Sequence, residues 1–299
     1  MSVRAQPKNS VNAWAIVDKP IGMTSTRAVS RLKRLFNAKK AGHAGTLDPI
    51  ATGVLPVAFG EATKTVPFVQ DGEKAYRFTV RWGIETDTDD AEGTVQRTSE
   101  QRPLASDILA LLPRFTGTIE QLPPTFSAIK INGERAYDLA RDGELPILSP
   151  RLVTVYGLEL VRAGGDEAVF EARCGKGTYV RALARDLGRI LGCYGHVSAL
   201  RRTRVGPFFE KDALPLADFE AAPDPALLLG VEAGLAELPR VAVDRDAASR
   251  LRRGQPLLLR GQGAPAGGLA YAVFRGVAVA VGTVENGELI PSRVFNLPA

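Results

Sequence analysis

Gly42-His43-Ala44-Gly45-Thr46-Leu47-Asp48-Pro49-Ile50-Ala51-Thr52-Gly53 is the most informative stretch of this chain. Its three glycines leave room for a ligand to approach the backbone closely. Asp48 is the only ionisable carboxylate in the stretch. An aspartate before a proline in a glycine-rich loop is usually a turn former. A catalytic role for Asp48 therefore needs support from other parts of the chain.

The residues that precede this aspartate are strongly basic, with nine Lys or Arg and one acid, Asp18, in the first 47 positions. A carboxylate at the edge of a cationic surface indicates a polyanionic ligand such as nucleic acid. The net charge of +5 over 299 residues supports this only weakly. A helix predicted to start at Thr24 or Ser25 carries Arg27, Arg31 and Arg34, on either a solvated face or a phosphate-contacting one.

Composition excludes several other classes of protein. Two cysteines, Cys174 and Cys193, do not make a disulfide framework, and with His43 and His196 they lack the spacing of a zinc site. We therefore expect reduced thiols, a cytoplasmic setting, no metal and no cofactor. The chain has no apolar run of 18 residues and its first residues are polar, so we expect neither a membrane span nor a signal peptide.

Hydrophobic periodicity predicts a chain that combines strands and helices, an α+β class. Buried or alternating segments predict strands, and segments with an apolar stripe predict helices, at 104–115 and 180–191 besides the first. After Pro239, short strands with frequent glycines, with a turn predicted at Asn286-Gly287, indicate a small β-barrel or sandwich. We predict a domain of residues 1–238 and a second of residues 239–299. The strands are predicted at 13–18, 53–59, 75–82, 153–160, 168–174, 269–274, 277–285 and 292–297.

A punctuated segment at about 123–150 interrupts the first domain. It contains Pro123-Pro124 and the turn signal Asn132-Gly133, which favours a hairpin or loop insertion.

Three other motifs carry chemistry that the sequence leaves open. If a strand extends through 175–181, Tyr179 and Arg181 share one side and suit a flat nucleobase, but a half-buried tyrosine beside a surface arginine is the more common arrangement. The acidic run at 86–93 does not complete a calcium loop and is by default an acidic turn. The three arginines of Leu200-Arg201-Arg202-Thr203-Arg204 indicate a phosphate clamp or an exposed edge strand.

Taken together, these motifs resemble the TruB family of tRNA pseudouridine-55 synthases over nearly all of residues 12–210. The glycine-rich block at 42–56 is similar to the family's hallmark block. The other matching elements follow in the family's order: Lys19-Pro20-Ile21-Gly22, Gly60-Glu61-Ala62-Thr63-Lys64, Tyr76, the turn from Thr86 to Gly93, Gly177-Thr178-Tyr179-Val180-Arg181 and the segment from Leu200. The last sixty residues resemble a PUA domain, an RNA-binding β-barrel, more weakly.

The resemblance implies a role for each matching residue. Asp48 is similar to the catalytic aspartate, Arg181 to its paired cation, and Tyr76 to an aromatic that stacks on the flipped base and takes part in proton transfer. Asp90 matches a further acid of this charge network, although the adjacent Asp89 leaves open which acid meets Arg181. The remaining matches are to substrate-binding residues: His43, which enters the T-loop, Lys64 as a structural or pocket cation, Tyr179 and Leu200 as pocket walls, and Lys19 and Arg202.

The resemblance further implies the pseudouridine synthase fold, a mixed and mainly antiparallel sheet flanked by helices. It also implies an isomerase that converts uridine 55 in the T-loop of tRNA to pseudouridine by flipping the base, without a cofactor. Asp48 would attack C1′, add to C6 or assist an elimination. The expected partner is the T-arm of tRNA, with no membrane, no obligate protein partner and a monomeric state. The alternatives are an RNA-binding or tRNA-folding module and an RNA-guided synthase of a ribonucleoprotein. The 123–150 segment looks like the family's thumb loop.

Overall fold

A computed structural model of the protein describes residues 9–127, 130–131, 134–135, 148–259 and 264–298. The α-helices in these ranges are α1 (Ser25–Leu35), α2 (Val66–Asp71), α3 (Ala105–Leu111), α4 (Val180–Ile190), α5 (Leu216–Ala221) and α6 (Arg245–Arg252). The 3₁₀-helices are Gly60–Lys64, Leu112–Phe115, Glu210–Asp212, Pro225–Leu227 and Val231–Leu235. The strands are β1 (Ala13–Lys19), β2 (Ala41–His43), β3 (Ala51–Phe59), β4 (Lys74–Trp82), β5 (Ile84–Thr86), β6 (Val95–Thr98), β7 (Gly117–Gln121), β8 (Lys130–Ile131), β9 (Glu134–Arg135), β10 (Arg151–Ala163), β11 (Glu167–Cys174), β12 (Gly195–Val205), β13 (Phe208–Phe209), β14 (Leu214–Pro215), β15 (Arg240–Ala242), β16 (Leu257–Leu258), β17 (Gly268–Phe274), β18 (Val277–Glu285) and β19 (Glu288–Val294).

The main sheet follows the order β14-β1-β3-β12-β4-β11-β10-β7, with β2 added to β3 and β13 to β12. Only the β1–β14 and β3–β12 pairs among these described strands are parallel. The α+β class with a mixed, mainly antiparallel sheet is therefore confirmed. This order places β3, which follows the glycine-rich loop, directly beside β12 and one strand away from β4.

Both faces of the main sheet are buried, and β1 shows why its sequence is continuously apolar. Ala15 and Val17 face a core that includes α1 and α4, whereas Trp14 and Ile16 face a core shared with the second sheet. A strand covered on both sides needs apolar residues at successive positions. As the sequence predicts, α1 is capped by Thr24, whose hydroxyl accepts a hydrogen bond from the Arg27 N–H at 3.2 Å.

The C-terminal part contains the second sheet, in the order β15-β17-β18-β19-β16. The predicted hairpin turn at Asn286-Gly287 is present, and both residues have positive φ, as a type I′ turn requires. Lys64 from the first part donates to the carbonyl of Val294 at 2.8 Å. The second sheet begins at Arg240, and the domain boundary near residue 238 stays a prediction.

Two interpretations of the sequence differ from the structure. The 104–115 helix is α-helical only as far as Leu111, because Pro113 follows within a 3₁₀ turn. The chain enters α4 at Val180, which confirms the helix predicted at 180–191 and excludes the alternative strand through Tyr179 and Arg181. Most of the 123–150 segment, including the Asn132-Gly133 turn, lies outside the described residues. No helix of the described part of the chain is long and apolar enough to cross a membrane.

Candidate active site

A cleft of about 460 Å³ opens where the glycine-rich loop, β4, β12 and the start of α4 meet. It brings together six of the residues that the sequence predicts for the site, and it includes two lysines that were not predicted. The lining residues are Gly45, Thr46, Leu47, Asp48, Gln70, Lys74, Tyr76, Gly175, Lys176, Gly177, Thr178, Tyr179, Val180, Arg181, Leu200 and Arg202.

Buried polar side chains hold the glycine-rich loop in place through hydrogen bonds to the backbone. The Ser25 hydroxyl accepts from the Leu47 N–H at 2.8 Å and donates to the Leu47 carbonyl at 3.0 Å. The Lys19 ammonium donates to the carbonyls of Met23 at 2.6 Å and Pro49 at 3.3 Å. Burial lowers the pKa of Lys19 to about 8. Lys19 therefore supports the loop from inside and does not line the cleft, which differs from its predicted contact with substrate.

Arg202 holds the same loop from β12. Its guanidinium donates to the carbonyls of Gly45 at 3.0 Å, Thr46 at 3.3 Å and Val54 at 2.9 Å, and the residue is 1% exposed. A buried guanidinium needs such acceptors, because an unpaired charge in the interior is costly. Arg202 lines the cleft, and its guanidinium also donates a hydrogen bond to the Tyr76 side chain, so it supports both the loop and a cleft residue.

Gly53 is required by a close approach of two strands. It has a φ of +96°, and a Cβ there would lie 2.2 Å from the Arg202 carbonyl oxygen. We expect Gly53→Ala to destabilise the fold by about 2–4 kcal/mol, since strain at positive φ is joined by a backbone clash. Urea unfolding would measure this. Gly276→Ala is the matched control, because Gly276 has a φ of +84° and open space around it. Equal losses in the two variants would contradict the role of the clash.

Asp48 and Arg181 form the central ion pair of the cleft. Asp48 Oδ2 lies 2.9 Å from Arg181 Nε, although the two residues are far apart in the sequence. The Arg181 side chain is 5% exposed and that of Asp48 is 36% exposed. The carboxylate therefore faces the cleft while its partner is buried behind it, which leaves an oriented anion accessible to a ligand.

The other donors of Arg181 are also used. Nη1 donates to the Thr88 carbonyl at 2.7 Å and lies 3.6 Å from Asp90 Oδ2, and Nη2 donates to the Phe126 carbonyl at 2.9 Å. Asp90 is therefore the acid of the turn that meets Arg181. Because Asp90 is 3% exposed and outside the cleft lining, it holds the arginine and does not contact a ligand in the cleft.

Sequence reasoning missed a ladder of arginines along α4. Arg185 pairs with Asp89 at 3.0 Å and Arg189 with Glu85 at 2.7 Å, one and two turns beyond Arg181. Burial raises the pKa of Asp89 to about 6, although the Arg185 guanidinium opposes this. The signal was available, since arginines at i, i+4 and i+8 share one helix face. These ion pairs hold α4 against the acidic turn and so fix the position of Arg181 relative to that turn.

Tyr76 and Leu200 lie on neighbouring strands of the cleft wall. In the sheet register Tyr76 of β4 is opposite Arg202 of β12, and Leu200 is opposite Phe78. Burial raises the pKa of Tyr76 to about 12 against the opposing effect of Arg202, so its phenol carries a proton at neutral pH. Leu200 is 8% exposed and supplies apolar surface.

Tyr179 lies at the entrance to α4 with its ring at the cleft. Burial raises the pKa of its phenol. The ring therefore remains neutral, and with Tyr76 it gives the cleft two aromatic surfaces that a planar ligand can contact.

Neither interpretation of the arginines at 200–204, as a phosphate clamp or as an exposed edge strand, agrees with the structure. This segment is a central strand, because β12 lies between β3 and β4. Arg201 pairs with Asp18 at 2.7 Å, and Arg204 pairs with Glu73 at 3.0 Å and Glu237 at 2.8 Å. These arginines hold neighbouring elements together and are not available as a phosphate clamp.

Lys64 and His43 lie outside the cleft lining. Lys64 pairs with Glu61 at 2.7 Å and reaches the second sheet, so the structure does not place it in the pocket. It borders a smaller depression of about 230 Å³ that includes the exposed Lys39 and Lys40. His43 is the last residue of β2 and lies near the start of the glycine-rich stretch 42–53. Arg31, predicted on the solvated or phosphate-contacting face of α1, pairs with Glu220 at 3.2 Å.

The two unpredicted lysines of the cleft differ in environment. Lys74 is 7% exposed and donates to the carbonyls of Gln70 and Gly72 at the end of α2. Burial lowers its pKa to about 8. Lys176 is exposed and pairs with Asp71 at 2.7 Å. Lys74 therefore caps α2, while Lys176 places a positive charge at the rim. Within the described residues, no group of three or more His, Cys, Asp or Glu could hold a metal.

Known proteins of similar sequence and fold show which class of protein this is. The N-terminal domain of TruB family pseudouridylate synthases matches residues 33–180, and the C-terminal domain of tRNA pseudouridylate synthase B matches residues 181–227. The chain is 62% identical to tRNA pseudouridine synthase B of Bradyrhizobium diazoefficiens, over 97% of this chain and 87% of that protein. It is 53% identical to the same protein of Rhizobium meliloti, over 99% of each chain.

The fold is also similar to a chain in the crystal structure of a Cbf5-Nop10-Gar1 complex. The TM-score is 0.71 with 26% identity, covering 95% of this chain and 84% of that chain. The mixed sheet and the aspartate-bearing cleft are therefore those of a pseudouridine synthase, an isomerase. Within that class, the chain belongs to the TruB family, which confirms the resemblance inferred from the motifs.

Proposed function

We propose that this protein isomerises uridine 55 in the T-loop of tRNA to pseudouridine. The observation that carries the proposal is the half-buried Asp48 carboxylate, 2.9 Å from the buried Arg181 guanidinium, in a cleft that Tyr76 and Tyr179 also line. The relatives with 62% and 53% identity are named tRNA pseudouridine synthase B, whereas identity to the Cbf5-complex chain is only 26%. These values favour a stand-alone tRNA enzyme over the RNA-guided alternative.

The reaction needs a base that has left its stack. Pseudouridine is an isomer of uridine: the N1–C1′ bond breaks, a C5–C1′ bond forms, C5 loses its proton and N1 gains one. Atoms and electrons balance without an oxidant or a cofactor. Flipping a base costs a few kcal/mol, which contacts in an enzyme pocket offset. The rings of Tyr76 and Tyr179 and the apolar Leu200 are the surfaces that would supply those contacts here.

Asp48 is the residue that we assign to the reacting nucleotide. Its oxygen is oriented by Arg181, which is itself held by Asp90 and two backbone carbonyls. A charge fixed in this way does not reorganise when the substrate reacts, which is the main electrostatic advantage of an active site. Tyr76 bears a proton at neutral pH and is placed to exchange it with the base.

The RNA surface extends beyond the cleft in this proposal. His43, in the glycine-rich stretch that contains Asp48, is assigned to the opened T-loop, and the 123–150 segment is assigned to contact with the bound RNA. We assign the C-terminal sheet, as a PUA-like domain, to binding of the rest of the tRNA. We further propose that the protein acts as a monomer in the cytoplasm without an obligate protein partner.

Position-resolved mapping of pseudouridine tests the function. The protein is incubated with an unmodified tRNA transcript and with a transcript that carries cytidine at position 55. We expect pseudouridine at position 55 of the first transcript and none in the second. Modification only when a guide RNA is added would support the RNA-guided class instead. Accelerated tRNA folding without any pseudouridine would support the RNA-folding alternative.

Lys39 and Lys40 give a second test, of the RNA surface. Both are exposed and border the smaller depression, so we expect them to contact phosphates. The Lys39→Gln/Lys40→Gln variant should bind all tRNAs more weakly, and the slope of log K against log salt should fall by about 0.7–0.9 per lost contact. Filter binding at several salt concentrations measures the slope. Arg162→Gln on β10 is the control, and an unchanged slope in the lysine variant would remove these residues from the interface.

A further inference from the structure

Gln121 makes a pair of hydrogen bonds to the backbone at the entrance of α4. Its Oε1 accepts from the Tyr179 N–H at 2.8 Å, and its Nε2 donates to the Tyr179 carbonyl at 3.1 Å. Gln121 is the last residue of β7 and is 2% exposed. One buried side chain thus satisfies both backbone groups of the residue whose ring lines the cleft.

The start of α4 needs such an external constraint. Tyr179 is its N-cap residue and provides no side-chain cap, since tyrosine is not among the residues whose short side chains satisfy the first N–H groups. A helix without a cap frays at its first turn. Arg181 in that turn is held separately by Asp48, Asp90 and two backbone carbonyls, so loosening of the helix start would displace chiefly Tyr179.

Two further contacts connect the same segment to α4. Arg185 donates to the Leu122 carbonyl at 2.8 Å, and Arg181 donates to the Phe126 carbonyl at 2.9 Å. Residues 121–126 therefore contact the cap and the first two turns of α4. Gln121 is the member of this set whose contribution comes from its own side chain, so it can be removed by substitution.

We propose that Gln121 is a positioning residue for the isomerisation, which holds the Tyr179 ring at the place where it meets the flipped base. This inference rests on the proposed function. Gln121 lies outside the cleft lining, so it acts through Tyr179 and touches no substrate. Hydrogen bonds to both backbone groups set the position of the residue along the chain and the direction of its Cα–Cβ bond, which together determine where the ring lies.

Kinetics of the Gln121→Met variant test the proposal. Methionine keeps the length of the side chain but makes neither hydrogen bond. We expect kcat on unmodified tRNA to fall roughly 10- to 100-fold, since a displacement of about 1 Å can cost 100-fold. The Kd for tRNA should change less than about twofold. Gln101→Met, at an exposed glutamine outside the cleft, is the matched control and should keep the kcat of the wild type.

A double-mutant cycle separates positioning from a merely structural role. In a Tyr179→Leu background, Gln121→Met should reduce the single-turnover rate by less than about threefold, because the ring that Gln121 places is absent. Multiplication of the two separate losses would overturn the proposal, as would an unchanged kcat in Gln121→Met. Thermal unfolding of each variant shows that it is folded at the assay temperature. An inactive wild type would instead refute the proposed function.

Discussion

Asp48→Asn is expected to reduce pseudouridine formation by at least about 10³-fold, while the affinity for tRNA stays within a few fold of the wild type. Asparagine keeps the shape of the side chain but removes the anion that Arg181 orients at 2.9 Å. Loss of an essential catalytic group commonly costs several orders of magnitude. The fold should survive, because Arg181 keeps Asp90 and the carbonyls of Thr88 and Phe126 as acceptors.

Single-turnover assays with excess enzyme measure the Asp48→Asn rate, and filter binding measures the affinity. Asp166→Asn is the matched control, since Asp166 pairs with Arg102 at 2.7 Å on the surface, outside the cleft. It should react at the wild-type rate. Turnover by Asp48→Asn at the wild-type rate would remove Asp48 from the chemistry, and loss of tRNA binding would assign it to affinity instead.

Arg181→Met is expected to damage both the activity and the fold. Activity should fall about 10²-fold or more, because the Asp48 carboxylate loses its orienting partner. The free energy of unfolding should fall by about 3 kcal/mol, since Asp90 is left buried without its cation. Asp48→Asn and Arg181→Met should therefore differ more in stability than in activity.

Urea unfolding and single-turnover rates separate the two effects of Arg181→Met. The surface partner of Asp166 provides the control: Arg102→Met should change stability by less than about 1 kcal/mol. If Arg181→Met were as stable as the wild type, the pair with Asp90 would not support the fold. If it were fully active, Arg181 would not orient the catalytic aspartate.

Local signals predicted most of the fold. The apolar run of β1, the Thr24 cap and the Asn286-Gly287 turn each depend on residues that are neighbours in the sequence, and the structure contains all three. At Tyr179 and Arg181 two local patterns compete. Alternation over a few residues suits a strand, but the apolar stripe of the helix predicted at 180–191 extends over the eleven residues of α4, and the helix forms.

The partners of charged residues could not be predicted in this way. The sequence pattern of a phosphate clamp is present at Arg201, Arg202 and Arg204. In the structure, each of these arginines instead binds a carboxylate or a carbonyl from a distant part of the chain. Lys64 matches its motif, but its neighbours are Glu61 and the second sheet. Sheet order sets these distances, and no short stretch of sequence contains that information.

The sequence by itself determined that a single carboxylate, Asp48, lies in a flexible glycine-rich backbone after a basic segment, and that the chain alternates strands and helices. It did so because backbone freedom, periodicity and charge are local properties. Only the tertiary structure decided that Arg181 meets both Asp48 and Asp90, that Arg202 supports the loop, and that Gln121 holds Tyr179. Those contacts join distant segments, and their geometry exists only after the register of the main sheet and the docking of α4 are set.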